Sequence, residues 1–304
     1  MRLNTHKSIS VRPRHPLFSR QYVTALLFVV LLLPLRFAWA GKSDLDKQLK
    51  SDYSGKTLTL RRFYSGEHLK FRSDGRLQGD APIGPWTLDG QIEVEDVHLH
   101  RTQLVIKGRR IYLSFDSQRK SQDKSMTTNN NHGKPFKGLE KTLSSIQVEI
   151  EIELPDDKPD PKDVSSAIQA VFVSGSESML DIVPSYWRAY FAKQEGRPQS
   201  PPESKELVYN VKPKSGVTAP HPIHTPDPEY SPEARKLKHQ GTVVMSLVVD
   251  ASGAARDLQI QRPLGLGLDE MAVEAVSGWK FDPAQKDGKP VPVVLYVEVN
   301  FHLY

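Results

Sequence analysis

The chain has 304 residues, with 41 Lys and Arg, 36 Asp and Glu, and no cysteine. Without cysteine, disulfides, thiolate metal sites and a cysteine nucleophile are excluded. Six of the basic residues and none of the acidic residues lie in 1–40, which leaves 35 basic against 36 acidic residues in the remainder. The positive net charge therefore belongs to the N-terminal segment, and the rest of the chain lacks the basic field that attracts nucleic acid.

Residues 1–40 have the pattern of an export segment. Basic residues precede an uncharged run at 22–35, and Ala38-Trp39-Ala40 follows that run. This order predicts a secretory signal peptide that is cleaved after Ala40. The run is shorter than the roughly 20 apolar residues of a spanning helix, but retention of the segment as a membrane anchor stays open. In both cases the positive N-terminal side stays in the cytoplasm and the rest of the chain lies outside it.

Residues 42–194 predict a β-rich domain with trailing helices. Short runs of alternating polar and apolar residues are separated by glycines and turn residues, at 56–60, 67–71, 92–100, 103–106, 110–115 and 142–154. Several short strands at this spacing predict a small antiparallel barrel or a curled sheet. A polar loop is expected at 118–135. Helices are expected from Pro161 onward and over 177–193, where Pro184 interrupts the second one.

Two polar strand faces in this region resemble metal sites. His98 and His100 share one face of a strand, and His68 or Asp96 is conceivable as a third ligand. A second face carries three carboxylates at alternate positions, Glu149, Glu151 and Glu153. Solvated strand faces explain both patterns more simply, because a metal site needs three or four converging ligands. We therefore predict no metal and no cofactor, and a metal-dependent enzyme centred on the two histidines is the weakest of three hypotheses.

Residues 195–217 are predicted to form a linker, because prolines are interspersed there with Ser and Gly. A Pro-rich segment of this kind behaves as a semi-rigid spacer.

Residues 218–304 predict an α+β domain with two helices and a three-stranded antiparallel sheet. Ser231 caps the first helix and Pro232 occupies its first position. Strands are expected at 241–250 and up to Gln261, joined by a turn through Gly253. A helix is expected at 268–279 because apolar residues recur there at helical spacing. The last strand, within 291–303, has apolar odd positions and mostly polar even positions, which is typical of a half-buried strand.

The last strand is predicted to be an edge strand, since no element follows it. An uncovered edge is either blunted or used to recruit a partner strand. Its apolar odd positions are assigned to the core, so that the edge backbone and the wet-face side chains of Tyr296, Glu298 and Asn300 remain as contacts. A proline at Val297 is expected to weaken partner binding if the backbone donor of that residue faces the partner.

The C-terminal residues resemble the TonB C-terminal domain. The resemblance rests on these positions: Tyr230-Ser231-Pro232-Glu233-Ala234, Gly241-Thr242-Val243, Val249-Asp250 with Gly253, Leu268-Asp269, Ala272 with Ala275-Val276, Trp279-Lys280-Phe281, Pro283-Ala284, Gly288-Lys289-Pro290-Val291 and Phe301. It implies a binding module whose last strand pairs with the short TonB box of an outer-membrane receptor. By that analogy the partner-binding residues are Val293, Leu295, Tyr296, Val297, Glu298, Val299, Asn300 and Phe301.

The resemblance also implies energy-dependent transport across the outer membrane, with a periplasmic location or an inner-membrane anchor. Family anchors that couple to ExbB and ExbD resemble a longer apolar helix with an internal Ser and His one turn apart, and the run 22–35 has neither residue. A soluble periplasmic adaptor without coupling to the proton-motive force is therefore the alternative. A homodimer is left open, and the lack of G-x-S-x-G, Walker and H-E-x-x-H motifs predicts that the chain is not an enzyme.

Overall fold

The structure, a computed structural model, describes residues 42–115, 139–156, 159–175, 177–198, 207–211 and 216–303. These residues form a mixed α/β fold with two main sheets. The predicted export segment, the loop 118–135 and most of the predicted linker lie outside the described ranges. Within those ranges, no helix has both the length and the apolar character that crossing a membrane requires.

The first main sheet has six strands in the spatial order β1-β4-β5-β6-β2-β3. These strands are β1 (Thr57–Thr59), β2 (His68–Phe71), β3 (Leu77–Gln78), β4 (Gln91–His100), β5 (Gln103–Phe115) and β6 (Leu139–Glu153). The long strands β4, β5 and β6 are antiparallel neighbours, whereas β2 runs parallel to β6. The sheet is therefore open and contains a parallel pair, where the strand spacing predicts only antiparallel neighbours. The spacing of strands along the sequence does not predict this pairing, because the whole β4–β5 hairpin lies between β2 and β6.

Four helices accompany this sheet. They are α1 (Lys42–Tyr53), α2 (Trp86–Asp89), α3 (Pro161–Val171) and α4 (Arg188–Gln194). Helix α3 begins at Pro161 because the Asp160 carboxylate accepts hydrogen bonds from the amides of Lys162 and Asp163, at 2.6 and 2.9 Å. The helix predicted at 177–193 is broken as expected at Pro184, and α4 is preceded by two 3₁₀ turns, Met179–Asp181 and Ser185–Trp187.

An aromatic cluster joins α2 to α4. The indole of Trp187 is fully buried and packs edge-on against Trp86 and Tyr190, with ring centroids 5.4 and 5.7 Å apart. Phe191 also packs against Trp86, at 5.4 Å. Edge-to-face contacts of this kind add to the free energy gained from burial of the rings. The cluster therefore gives α4 a defined position against α2.

The second main sheet has four strands in the order β10-β9-β14-β7. The elements of this part are β7 (Tyr209–Asn210), β8 (His221–His224), α5 (Pro232–Lys236), β9 (Gly241–Val249), β10 (Ala255–Arg262), α6 (Leu268–Ser277), β11 (Lys280–Asp282), β12 (Gln285–Lys286), β13 (Lys289–Pro290) and β14 (Val293–Phe301). Strand β9 is antiparallel to both β10 and β14, and β7 runs parallel to β14. The sheet thus has a fourth strand, and that strand comes from residues that the sequence assigns to the linker.

Local interactions explain where these elements begin and turn. The Ser231 hydroxyl accepts a hydrogen bond from the Ala234 amide at 3.1 Å, which caps α5 ahead of Pro232. The Asp250 carboxylate accepts from the Ala254 amide at 3.0 Å and closes the turn between β9 and β10. Helix α6 buries its apolar face against the inner face of the sheet and forms a second core cluster, and Val273 of this helix also packs against the core of the first sheet.

The first sheet is in direct contact with the loop between β10 and α6. The Phe115 amide at the end of β5 donates to the Leu264 carbonyl, and the Leu266 amide donates to the Leu113 carbonyl, both at 2.9 Å. Gly265 lies between these bonds with φ +88°, and a Cβ there would come within 2.4 Å of the Leu113 carbonyl oxygen. Only glycine therefore allows the two backbones to approach this closely.

Candidate functional site

The outer edge of β10 is covered by residues 185–194. The 3₁₀ turn Ser185–Trp187 and α4 lie along this strand, and the Ala189 amide donates a hydrogen bond to Oε1 of Gln259 at 3.1 Å. The indole of Trp187 donates to Oε1 of Glu270 on α6 at 2.9 Å. A partner strand cannot add to β10 without displacing these contacts, so this edge of the second sheet is closed.

Two carboxylates lie at the contact between the two halves. Asp269 is fully buried and accepts hydrogen bonds from the amides of Leu264 and Gly265, at 2.8 and 2.7 Å. Glu270 is half-buried, but its Oε2 atom is shielded from solvent and has no hydrogen-bond partner among the described residues. Burial raises the pKa of both carboxyls, although the backbone donors oppose this effect at Asp269. These groups hold the 264–265 loop and the Trp187 indole, so their role is positional.

Within the described ranges, the outer edge of β14 is covered only at its beginning. Tyr209 and Asn210 of β7 pair with Val293 and Val294, and the Tyr209 amide donates to the Pro292 carbonyl at 2.9 Å. Among the described residues, no strand pairs with this edge over 295–301. The larger part of the edge predicted from the sequence is therefore open, and the first two positions are occupied.

The direction of each backbone group along β14 follows from two hydrogen bonds. The Pro292 carbonyl faces β7, and since backbone groups alternate in direction along a strand, the even positions of β14 face the open edge. The Asp250 amide donates to Ala254 on the β10 side, so Val249 faces β14 and pairs with Val293. Both observations place the odd positions of β14 towards β9.

The backbone groups of Tyr296, Glu298 and Asn300 therefore face the open edge. The amide of Val297 instead faces Met245, its partner in β9. The condition attached to the proline at Val297 is thus not met, because a proline there would remove a hydrogen bond inside the sheet. The sequence shows which side chains alternate, but it does not show which of the two neighbouring strands receives each amide.

The side chains of the predicted site divide in the same way. The odd positions Val293, Val297, Val299 and Phe301 are buried, and Leu295 is half-buried. The even positions Tyr296, Glu298 and Asn300 are exposed, and Tyr296 retains 67% of its accessible surface. Oδ1 of Asn300 accepts a hydrogen bond from the Thr242 hydroxyl at 2.6 Å. A partner strand would thus meet the backbone of three residues beside one exposed aromatic ring.

The end of β14 is anchored by an aromatic contact. The ring of Phe301 packs edge-on against Tyr230, with centroids 5.4 Å apart. The Tyr230 hydroxyl donates to the His239 carbonyl at 2.9 Å, and the guanidinium of Arg235 lies 5.6 Å from the Tyr230 ring. These contacts connect the last strand to α5 and the loop after it, so the open edge lies on a supported strand.

The candidate metal residues remain separate. Nδ1 of His98 lies 3.4 Å from Oδ2 of Asp96, and in the parts of the chain that the structure describes no three metal-ligating side chains converge. Glu149 and Glu151 form ion pairs with Lys107 and Lys70 on neighbouring strands, at 2.7 and 3.1 Å. The hydrogen bond from Lys107 holds the pKa of Glu149 below its ordinary value. The face that carries Glu149 and Glu151 is therefore a cross-strand charge ladder.

Sequence reasoning missed the residues that define the limits of this edge. Tyr209 lies in the stretch Leu207-Val208-Tyr209-Asn210-Val211, whose β-branched and aromatic residues are a weak strand signal inside a polar linker. Gln259 and Ala189 give no local signal, because their contact joins segments 70 residues apart.

Comparison with known proteins agrees with this C-terminal fold. The family model for the Gram-negative bacterial TonB protein C-terminal matches residues 226–303. Protein tonB2 of Pseudomonas aeruginosa is 37% identical over 82 residues, which are 27% of this chain and 30% of that protein. Protein TonB of Vibrio cholerae serotype O1 is 36% identical over 77 residues, which are 25% and 32% of the two chains. The match thus spans about a third of each relative.

One solved structure also aligns. A solution NMR structure of the Pseudomonas aeruginosa TonB CTD covers 32% of this chain and 94% of its own, at 19% identity and a TM-score of 0.24, which is too low to support an argument about the fold. The family model and the two relatives carry the assignment. Residues 226–303 of this chain form a C-terminal domain of the TonB family.

Proposed function

We propose that the C-terminal domain binds TonB-dependent outer-membrane receptors by strand addition to β14, and so supports energy-dependent transport across the outer membrane. The observation that carries this proposal is the open edge of β14, where the backbone groups of Tyr296, Glu298 and Asn300 have no partner strand among the described residues. An edge of this kind supplies main-chain hydrogen bonds for affinity and side-chain positions for specificity.

The closed edge of β10 supports the same proposal. Because α4 and the turn before it cover β10, an added strand has one side of the second sheet available to it. The proposed organisation is a region of strands and helices at 42–194, a linker at 195–217 and the receptor-binding domain at 218–304. The first region then supports the binding domain through the backbone hydrogen bonds that Phe115 and Leu113 make with the loop after β10. We propose no catalytic role for either region.

Amide hydrogen exchange of the full chain in detergent tests the proposal. The probe is a synthetic peptide from the N-terminal extended segment of a TonB-dependent receptor. The peptide is expected to slow exchange at Tyr296, Glu298 and Asn300, whereas Val297 and Val299 are already protected by β9. The same peptide with a central proline is the matched control, since it lacks one backbone donor. Binding without added protection at these three amides would contradict strand addition to β14.

The location of the chain decides whether the domain acts with ExbB- and ExbD-type proteins. We propose a periplasmic location, reached through the signal at 1–40, and the intact mass of the native protein tests it. A mass that begins at Gly41 in the soluble fraction would favour the adaptor without coupling to the proton-motive force. A full-length mass in the inner-membrane fraction would favour the anchored energy transducer.

A further inference from the structure

We propose that residues 207–211, here called the self-strand, occupy the receptor edge as an intramolecular competitor and are displaced when a receptor segment binds. This inference rests on the proposed function, because it assigns a regulatory contact to the same edge. The occupant is a named part of this chain, and it pairs with β14 in a defined register: Tyr209 with Val293 and Asn210 with Val294.

The self-strand uses the groups that an added strand would use. The Tyr209 amide donates a hydrogen bond to the Pro292 carbonyl. Val294 is an even position of β14, like Tyr296 and Glu298, so its backbone groups also face β7. A receptor strand confined to the open part meets three edge residues. If it extends to Val294, it gains a fourth edge residue and must displace the self-strand.

Contacts beside the edge hold the self-strand in place. The ammonium group of Lys286 lies 4.7 Å from the centroid of the Tyr209 ring, which is a cation–π contact. Further along the chain, the Thr218 amide donates to the Gln285 carbonyl at 2.9 Å, and Val217 forms a bridge with Lys286. The chain is therefore tied to the β12–β13 hairpin on one side of the self-strand, which keeps the competitor close to its site.

The contact is also small enough to be displaced. Only two residues of the self-strand are paired, and the flanking Leu207 and Val211 remain 69% and 39% exposed. A short strand with exposed apolar neighbours opens locally at a low free-energy cost. Because the apparent affinity of a ligand falls by the fraction of molecules in the competent state, we expect the self-strand to weaken receptor binding about tenfold.

A reversible lock tests the competition. Because the chain has no cysteine, Asn210→Cys with Val294→Cys introduces a single disulfide between facing positions. The probe is a fluorescent peptide with the sequence of residues 205–213, and the protein is the full chain in detergent. The oxidised variant is expected to bind at least about tenfold more weakly than the reduced one. Glu93→Cys with Arg109→Cys, facing positions in the first sheet, is the control, and its oxidation should not change binding.

A release variant gives the opposite result. Tyr209→Pro removes the amide that donates to Pro292 and the aromatic ring that contacts Lys286. The peptide is therefore expected to bind this variant about tenfold more tightly than it binds the wild type. Equal affinities of the oxidised and reduced lock, or of Tyr209→Pro and wild type, would overturn the competition while leaving the edge intact. Binding of the receptor peptide to Tyr209→Pro that survives an added Glu298→Pro, or that is absent altogether, would instead overturn the proposed function.

Discussion

Two proline substitutions at neighbouring positions separate the fold of the second sheet from its proposed binding. Glu298→Pro removes an amide that faces the open edge, and Val297→Pro removes one that faces Met245 in β9. The first variant is expected to fold and to lose receptor binding. The second is expected to lose stability, because it leaves a carbonyl inside the sheet without its donor.

The magnitudes follow from what each proline leaves unpaired. For Val297→Pro, an unsatisfied buried carbonyl costs about 1–3 kcal/mol, and the lost packing of a side chain that is only 9% exposed adds to this. The expected loss of unfolding free energy is therefore about 3 kcal/mol or more. Glu298 is exposed, so Glu298→Pro is expected to change the unfolding free energy by about 1 kcal/mol or less. In the complex, one carbonyl of the receptor peptide loses its hydrogen-bond donor, which should weaken receptor binding about tenfold to hundredfold.

Urea unfolding and peptide titration measure the two effects separately. Unfolding is followed by tryptophan fluorescence, and binding by the anisotropy of a labelled receptor peptide. Glu298→Ala is the matched control, because it removes the same side chain and retains the amide; binding is expected to stay within about threefold of wild type. The assignment of the even-position amides of β14 to the open edge would be refuted if Glu298→Pro bound normally while a folded Val297→Pro lost binding.

Two further substitutions test the contact between the two halves. Burial raises the pKa of Glu270 to about 8, so between its ordinary pKa and this raised pKa the folded state binds more protons than the unfolded state, and the unfolding free energy falls with rising pH. Glu270→Gln keeps an acceptor for the Trp187 indole and is expected to remove up to about 1.4 kcal/mol per pH unit of this slope, measured by urea unfolding at several pH values; identical slopes would contradict it. Gly265→Ala is expected to cost more than about 2 kcal/mol, because its Cβ would collide with the Leu113 carbonyl. Gly55→Ala has a similar positive φ but open space around it, and a cost as large as that of Gly265→Ala would show that the collision is unimportant.

The elements of the C-terminal domain were predictable because their signals are local. Ser231 and Pro232 mark the start of α5, and the β9–β10 turn is closed by Asp250 within five residues. The alternation along β14 predicts which side chains enter the core, and the structure buries the odd positions Val293, Val297, Val299 and Phe301. Such patterns need no knowledge of the neighbouring strands, since side chains alternate in every strand.

The use of the edge was decided by the tertiary structure. Which amides of β14 face outward depends on the hydrogen bonds of Pro292 and Asp250 to other strands. The occupation of Val293 and Val294 depends on β7, and the closure of β10 depends on Ala189, both of which are far away in sequence. Such long-range pairing leaves no local pattern in the sequence, because it depends on how complete helices and strands pack together. The sequence by itself therefore determined the C-terminal domain and the solvent-exposed face of β14, while the tertiary structure determined which backbone groups a partner can reach.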